Sequence, residues 1–214
     1  MLSAALAALS ALSCAALLVA ERRESVGARL VTKSLASLAF VAAAVATLVA
    51  AGATDSAAGR ATLVALVLSL IGDVLLVPSD PRAFFAGLGA FLLAHLAFAG
   101  AFLARGVTTT PTLVAALALL PVALFVGRWL LPHVEAAMRA PVVAYMTAIS
   151  IMVALSVGAA AHTGRADLVI AAIVFFLSDL TVARDRFVAP GFPNRLVGLP
   201  LYYAAQIAFA LGAA

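Results

Sequence analysis

Charged residues are scarce in this chain. Only 10% of its 214 residues are Asp, Glu, Lys or Arg, whereas 66% are hydrophobic and the mean hydropathy is +1.20. A water-soluble globular domain could not cover so much apolar surface with so few polar groups. The composition therefore excludes that class and indicates an integral membrane protein.

Disulfide pairs and basic patches are also missing. The single cysteine, Cys14, lies in a predicted span and has no partner for an intrachain disulfide. The net charge is +4, but the basic residues are scattered between apolar runs. This distribution is typical of charges that orient the spans of a membrane protein, and it argues against nucleic-acid binding.

What the sequence has instead is a series of long apolar segments. A spanning helix needs about 20 mainly apolar residues, and charges, prolines and glycines divide the chain into eight segments of about that length. The connections are short, so the sequence predicts an all-α polytopic membrane bundle, a single domain over residues 1–214. We expect a kink at Pro121, and the seventh span could continue into "ARDRF". The predicted spans are residues 2–20, 30–51, 61–77, 83–104, 111–131, 140–161, 167–182 and 196–214.

The arginines are distributed unevenly between the connections. Nine lie in or beside the first, third, fifth and seventh connections, and three lie in the even ones. Basic residues favour the cytoplasmic side, which predicts cytoplasmic odd connections and both termini outside. The Ala- and Arg-rich composition suggests a bacterial inner (plasma) membrane. The nine arginines are Arg22, Arg23, Arg29, Arg82, Arg128, Arg139, Arg184, Arg186 and Arg195.

The fourth and eighth spans resemble each other. "GLGAFLLAHLAFA" (87–99) aligns without a gap to "GLPLYYAAQIAFA" (198–210), which sets His95 opposite Gln206. The third and seventh spans each carry an aspartate near their C-terminal end, in "SLIGDVLL" and "FFLSDLTV". Four helices separate the copies, so the pattern predicts a parallel repeat of four plus four spans. Chance similarity in an alanine-rich chain is the alternative.

Two aspartates, Asp73 and Asp179, lie inside apolar spans. An ionisable residue at the bilayer centre costs at least ~2.5 kcal/mol and marks a functional site by default. The alternative is a structural ion pair with Lys33. On the predicted topology both aspartates fall in the cytoplasmic half, and His95 lies near the midplane. The other polar side chains of that half are Lys33, Tyr145, Tyr202, Tyr203 and Gln206.

Helical spacing places these side chains on shared faces. Lys33 pairs with Ser37, and Tyr202 with Gln206, because residues four apart lie on one side of a helix. Turned inward, such faces would line a polar cavity with apolar walls, which suits a lipid-derived substrate. The rim arginines Arg82, Arg184 and Arg186 fit the topology and could also meet a phosphate. Asp80 and Asp185 lie beyond the predicted helix ends, where we expect them to be solvated.

An ordered set of motifs resembles the YhhN family, the lysoplasmalogenase-like membrane proteins. The set comprises "TKSL" (32–35), "SLIGDVLL" (69–76), "FFAGLGAFLLAH" (84–95), Tyr145, "FFLSDLTVARDRF" (175–187) and "YYAAQ" (202–206). It covers nearly the whole chain. One departure is Ser34, which follows Lys33 where the family usually has proline.

The resemblance implies an eight-helix enzyme that hydrolyses the vinyl ether bond of lysoplasmalogens to a fatty aldehyde and a glycerophospho-alcohol. Asp73 and Asp179 would then be the catalytic pair, without cofactor or metal, and a lysophospholipid the substrate. The chemistry requires one protonated and one ionised carboxyl group, a division that two facing carboxyl groups in a low-dielectric cavity reach readily. The expected substrate-binding residues are Lys33, His95, Tyr145, Tyr202, Tyr203 and Gln206.

Three alternatives remain open at the level of sequence. His95, Asp73 and Asp179 form an admissible ligand set for a zinc hydrolase. Buried acids together with a parallel repeat also suit a transporter or proton-coupled carrier. A non-enzymatic lipid-binding or scaffold protein is the third. The sequence predicts no oligomeric state.

Overall fold

A computed structural model describes residues 1–214 and shows an entirely helical chain. A short 3₁₀ turn, Leu131–His133, follows the fifth helix, and a π-helical segment, Arg184–Val188, follows the seventh. The eight α-helices are α1 (Leu2–Arg22), α2 (Val26–Ala50), α3 (Ala57–Leu75), α4 (Pro81–Ala104), α5 (Thr109–Leu130), α6 (Ala136–Thr163), α7 (Ala166–Ala183) and α8 (Phe192–Leu211).

Local capping residues determine where several helices begin. The side chains of Ser25 and Ser56 accept hydrogen bonds from backbone N–H groups of the first turns of α2 and α3. Asp80 does the same for α4, at 2.8 Å from the nitrogen of Ala83. Such caps satisfy backbone donors that have no partner inside the helix. Asp80 is therefore the N-cap of α4.

Seven helices, α1 to α7, are long and apolar enough to cross a membrane. α8 is not among them: it includes Arg195, Pro200 and Gln206. The all-helical class is thus confirmed, while eight membrane spans stay a prediction. α5 runs through Pro121 as one continuous helix. The expected continuation of the seventh span into "ARDRF" is present as the π-helical segment.

The helices pack in corresponding pairs in the two halves of the chain. The packed pairs α1–α2, α2–α3, α3–α4 and α2–α8 match α5–α6, α6–α7, α7–α8 and α6–α4. The contact between α1 and α8 has no comparable counterpart between α5 and α4. The duplication itself stays a prediction.

Small residues let the helices approach each other closely around the buried aromatic side chains. At Gly72 of α3, an added Cβ would lie 2.6 Å from the Phe91 ring of α4. The ring therefore packs directly against the α3 backbone, one residue before Asp73. Glycine in the "GD" pair is thus explained by packing.

Candidate active site

A cavity of about 420 Å³ lies inside the bundle and reaches the end where α1, α3 and α7 finish. This is the end formed by the odd connections. Apolar residues make up much of its wall, notably Phe84, Leu88, Phe91, Phe176 and Leu199. The ionisable side chains of the interior that line it are Lys33, Asp73, Tyr145, Asp179 and Tyr202.

Asp73 is almost inaccessible, at 2% exposure, and is surrounded by donors. Its Oδ2 atom accepts hydrogen bonds from the hydroxyl groups of Ser37, at 2.6 Å, and Tyr202, at 2.7 Å. Its Oδ1 atom lies 3.4 Å from the Nζ atom of Lys33. The ion pair with Lys33, considered above as the structural alternative, therefore exists, and it lies in the cavity wall.

Asp179 has different neighbours. Its Oδ2 atom accepts a hydrogen bond from the Tyr145 hydroxyl at 2.7 Å and lies 3.4 Å from the Nε2 atom of His95. The His95 ring is fully buried and stacks on Phe175, with 4.4 Å between ring centroids. Its Nδ1 atom is 2.7 Å from the carbonyl oxygen of Phe91. Since a carbonyl oxygen can only accept, Nδ1 carries a hydrogen.

Three of the expected substrate-binding residues lie behind the cavity wall. His95 does not line the cavity, but it contacts Asp179 and Tyr145, which do. The hydroxyl group of Tyr203 lies 3.4 Å from that of Ser37. Gln206 is fully buried, and its amide has no protein hydrogen-bond partner. These residues can act on a substrate in the cavity only through another group.

Each aspartate takes its partners from corresponding helices. Asp73 of α3 is contacted by Lys33 and Ser37 of α2 and by Tyr202 of α8. Asp179 of α7 is contacted by Tyr145 of α6 and His95 of α4. In the predicted repeat α2 corresponds to α6 and α8 to α4. The two carboxyl groups therefore lie between corresponding helices but have chemically different partners.

The cavity mouth carries charged residues that the sequence did not single out. Glu21, at the end of α1, contacts Arg195 at 3.0 Å and Arg29 at 3.7 Å. Asp185 contacts Arg195 at 3.2 Å and also accepts hydrogen bonds from the backbone of Gly191 and the side chain of Asn194. The expectation of a solvated Asp185 is therefore wrong, because the π-helical segment turns it toward α8.

The three arginines that the sequence suggested as possible phosphate ligands do not join these ion pairs. Arg184 donates a hydrogen bond to the side chain of Asn194. Arg186 stacks over the Phe84 ring, 4.1 Å from its centroid. Arg82 does not line the cavity. None of the three contacts the carboxylates at the mouth.

The proposed zinc ligands do not converge. The structure contains no group of three or more His, Cys, Asp or Glu side chains placed to hold a metal ion. Asp73 is instead paired with Lys33, and His95 with Asp179.

A helical bundle with two aspartates in the wall of a largely apolar internal cavity defines a polytopic membrane protein with ionisable residues in its interior. The chain belongs to the YhhN family, whose profile matches residues 28–213. This confirms the resemblance seen in the sequence motifs.

Curated relatives share the name lysoplasmalogenase. The chain is 38% identical over 152 residues to the mouse protein lysoplasmalogenase TMEM86B, covering 70% of this chain and 61% of that protein. It is 37% identical over 183 residues to the lysoplasmalogenase of Mycobacterium bovis, covering 79% and 67%. The human TMEM86B protein is 36% identical over 155 residues, covering 70% and 61%. The match thus spans about three fifths of the mammalian relatives. No solved structure matches the chain.

Proposed function

We propose that this protein hydrolyses the vinyl ether bond of lysoplasmalogens, releasing a fatty aldehyde and a glycerophospho-alcohol. The name shared by its relatives supports the substrate class. The observation that carries the chemistry is that Asp73 and Asp179, with different hydrogen-bond partners, line one apolar cavity. That cavity suits a single-chain lipid.

Vinyl ether cleavage needs an acid and an anion in the same place. The β-carbon of the double bond takes up a proton, and the positive charge that develops is shared between the α-carbon and the ether oxygen. Water adds to the α-carbon, and the resulting hemiacetal separates into aldehyde and alcohol. A carboxyl group that donates the proton and a carboxylate that faces the cation meet both requirements.

Asp73 supplies the carboxylate in this mechanism. The hydroxyl groups of Ser37 and Tyr202 donate to it, and the Lys33 ammonium group lies 3.4 Å away. Hydrogen bonds and a positive charge both favour the ionised form of a carboxyl group. Asp73 thus stays charged in the cavity wall and faces the cation as it develops.

Asp179 supplies the proton. Because Nδ1 of His95 donates to the Phe91 carbonyl, Nε2 of a neutral ring has a lone pair that points at the carboxyl group. A lone pair and a carboxylate face each other favourably only when a proton lies between them. The pair formed by His95 and Asp179 therefore holds one proton beside the cavity. Tyr145 fixes the orientation of the carboxyl group.

The proton balance closes without a cofactor. Asp179 gives its proton to the β-carbon and becomes a carboxylate, which then accepts a proton from the attacking water. In the second stage it returns this proton to the departing glycerol oxygen and takes up the proton of the hemiacetal hydroxyl, which leaves Asp179 protonated for the next substrate. The net reaction consumes one water molecule for each vinyl ether bond.

A lysolipid panel in heavy water tests this function. Purified protein is incubated in D₂O with lysolipids that carry a vinyl ether, an alkyl ether or an acyl chain, and products are reduced with borohydride for mass spectrometry. We expect only the vinyl ether to be cleaved, with one deuterium at the second carbon of the product. The Asp73→Asn variant is the control. Release of fatty acid from the acyl lipid, or an undeuterated product, would refute the mechanism.

A further inference from the structure

A second polar layer lies at the cavity mouth. Glu21 is 9% exposed, and its carboxylate contacts Arg29 of α2 and Arg195 of α8. Arg195 also contacts Asp185. These four residues all line the cavity, and none of them contacts Asp73 or Asp179. They form a separate set, which we call the mouth cluster.

Both guanidinium groups of the mouth cluster have an N–H donor without an acceptor in the protein. The Nε atom of Arg29 is buried and has no hydrogen-bond partner in the protein. Arg195 uses Nε for Asp185 and Nη1 for Glu21, which leaves Nη2 without a protein partner. A buried donor without an acceptor is costly, so Arg29 is ready for an anionic ligand. The side chain of Arg195 is 35% exposed, and its free Nη2 atom offers a second donor at the open end of the cavity. Guanidinium groups match the geometry of phosphate oxygens.

The depth of the mouth cluster fits the length of a lysophospholipid. Arg29 precedes Lys33 by four residues on α2, a rise of about 6 Å along the helix. Lys33 marks the level of Asp73. In the lipid, five bonds separate the ether oxygen from the phosphorus atom, a span of roughly 6 Å at ordinary bond lengths. A vinyl ether at the carboxyl groups therefore brings the phosphate to the level of Arg29.

We propose that Arg29 and Arg195 bind the head-group phosphate of the substrate, and that Glu21 is a positioning residue that aims both guanidinium groups. The inference rests on the proposed function for the identity of the lipid. The mouth cluster pairs two arginines with two carboxylates, so the acidic side chains also offer contacts to a head-group ammonium. The cluster thus fits a zwitterionic phosphoalkanolamine.

Binding of non-cleavable lipids tests this assignment without needing turnover. An alkyl ether lysophosphoethanolamine and the matching alkylglycerol, which lacks the phosphate, are titrated against the detergent-purified protein. We expect Arg29→Gln and Arg195→Gln each to weaken binding of the phospholipid by about tenfold to a hundredfold. The alkylglycerol should bind all variants equally. Arg23→Gln, at an exposed arginine off the cavity, is the matched control.

The positioning role of Glu21 has its own readout. Glu21→Gln should weaken phospholipid binding, and Glu21→Asp should restore part of the affinity. Unchanged affinity in both arginine variants, or an equal loss for alkylglycerol, would overturn the proposal. Where an arginine variant elutes as an aggregate, Arg29→Lys and Arg195→Lys replace it. Failure of the vinyl ether assay with intact phosphate-dependent binding would refute the proposed reaction and leave the phosphate site standing.

Discussion

The Nε2 atom of His95 lies 3.4 Å from the Oδ2 atom of Asp179, while the other nitrogen of the ring is held by the Phe91 carbonyl. The ring can neither rotate nor exchange the roles of its nitrogens without losing that second contact. We propose that one proton is held between this imidazole and this carboxyl group. In our proposal this is the proton that reaches the substrate.

Replacing His95 by glutamine should separate proton delivery from substrate binding. The Gln amide can donate to Asp179, but it cannot share a proton with it. We expect kcat to fall by about a hundredfold or more, with KM nearly unchanged. His133→Gln is the control, because His133 makes the same type of contact with a backbone carbonyl, that of Trp129, on an exposed surface. A parallel rise in KM would show that His95 contributes to lipid binding instead.

Both aspartates should be indispensable. Asp73→Asn removes the anion that faces the developing cation, and Asp179→Asn removes the proton donor. Aldehyde release should drop by about a thousandfold or more in each variant, with elution from a sizing column unchanged. Asp55→Asn, at an exposed position distant from the cavity wall, should retain full activity. Full activity in either site variant would eliminate the two-carboxylate mechanism.

The ion pair between Lys33 and Asp73 should contribute to stability as well as to the reaction. Lys33→Met leaves Asp73 buried without its cation, which we expect to lower the free energy of unfolding by about 3 kcal/mol. Adding Asp73→Asn should recover stability but not activity. SDS titration of the single and double variants measures the coupling, expected to be about 1 kcal/mol or more. Additive single effects would show that the two side chains do not interact.

Gly72 should be sensitive to a single methyl group. A Cβ at this position would lie 2.6 Å from the Phe91 ring, and Phe91 also holds His95 through its carbonyl oxygen. Gly72→Ala should therefore destabilise the protein by roughly 1–3 kcal/mol and lower kcat. Gly89→Ala, in the open space on α4, is the control and should be neutral or slightly stabilising. Melting in detergent and aldehyde release measure the two effects.

Spacing along the helices was sufficient to predict much of the site. Helical periodicity places Lys33 and Ser37 on one face of α2. Hydropathy places the two aspartates inside apolar spans, near the ends of α3 and α7. A carboxylate inside an apolar run must find donors, so the need for hydrogen-bond partners could be predicted, although the partners themselves could not. Ser37 lies on the same face as Lys33, a signal that would have justified its inclusion among the site residues.

The mouth cluster could not be predicted in the same way. Glu21 and Asp185 lie at helix ends, and sequence alone does not indicate which ends meet in space. The partners of Asp73 and Asp179 also depend on side-chain direction across helices far apart in the chain. The same is true of Gln206, whose amide is enclosed on all sides. These features depend on long-range packing, which local periodicity does not encode.

The two carboxyl groups differ in access to solvent: the side chain of Asp73 is 3% exposed and that of Asp179 is 16% exposed. In the proposed reaction Asp179 gives a proton to carbon and regains one from the attacking water, so water must reach it in every turnover. The more exposed carboxyl group suits that role, whereas the enclosed Asp73 can keep its charge through many turnovers. Water would then enter the site beside α7, while the charge on α3 stays constant.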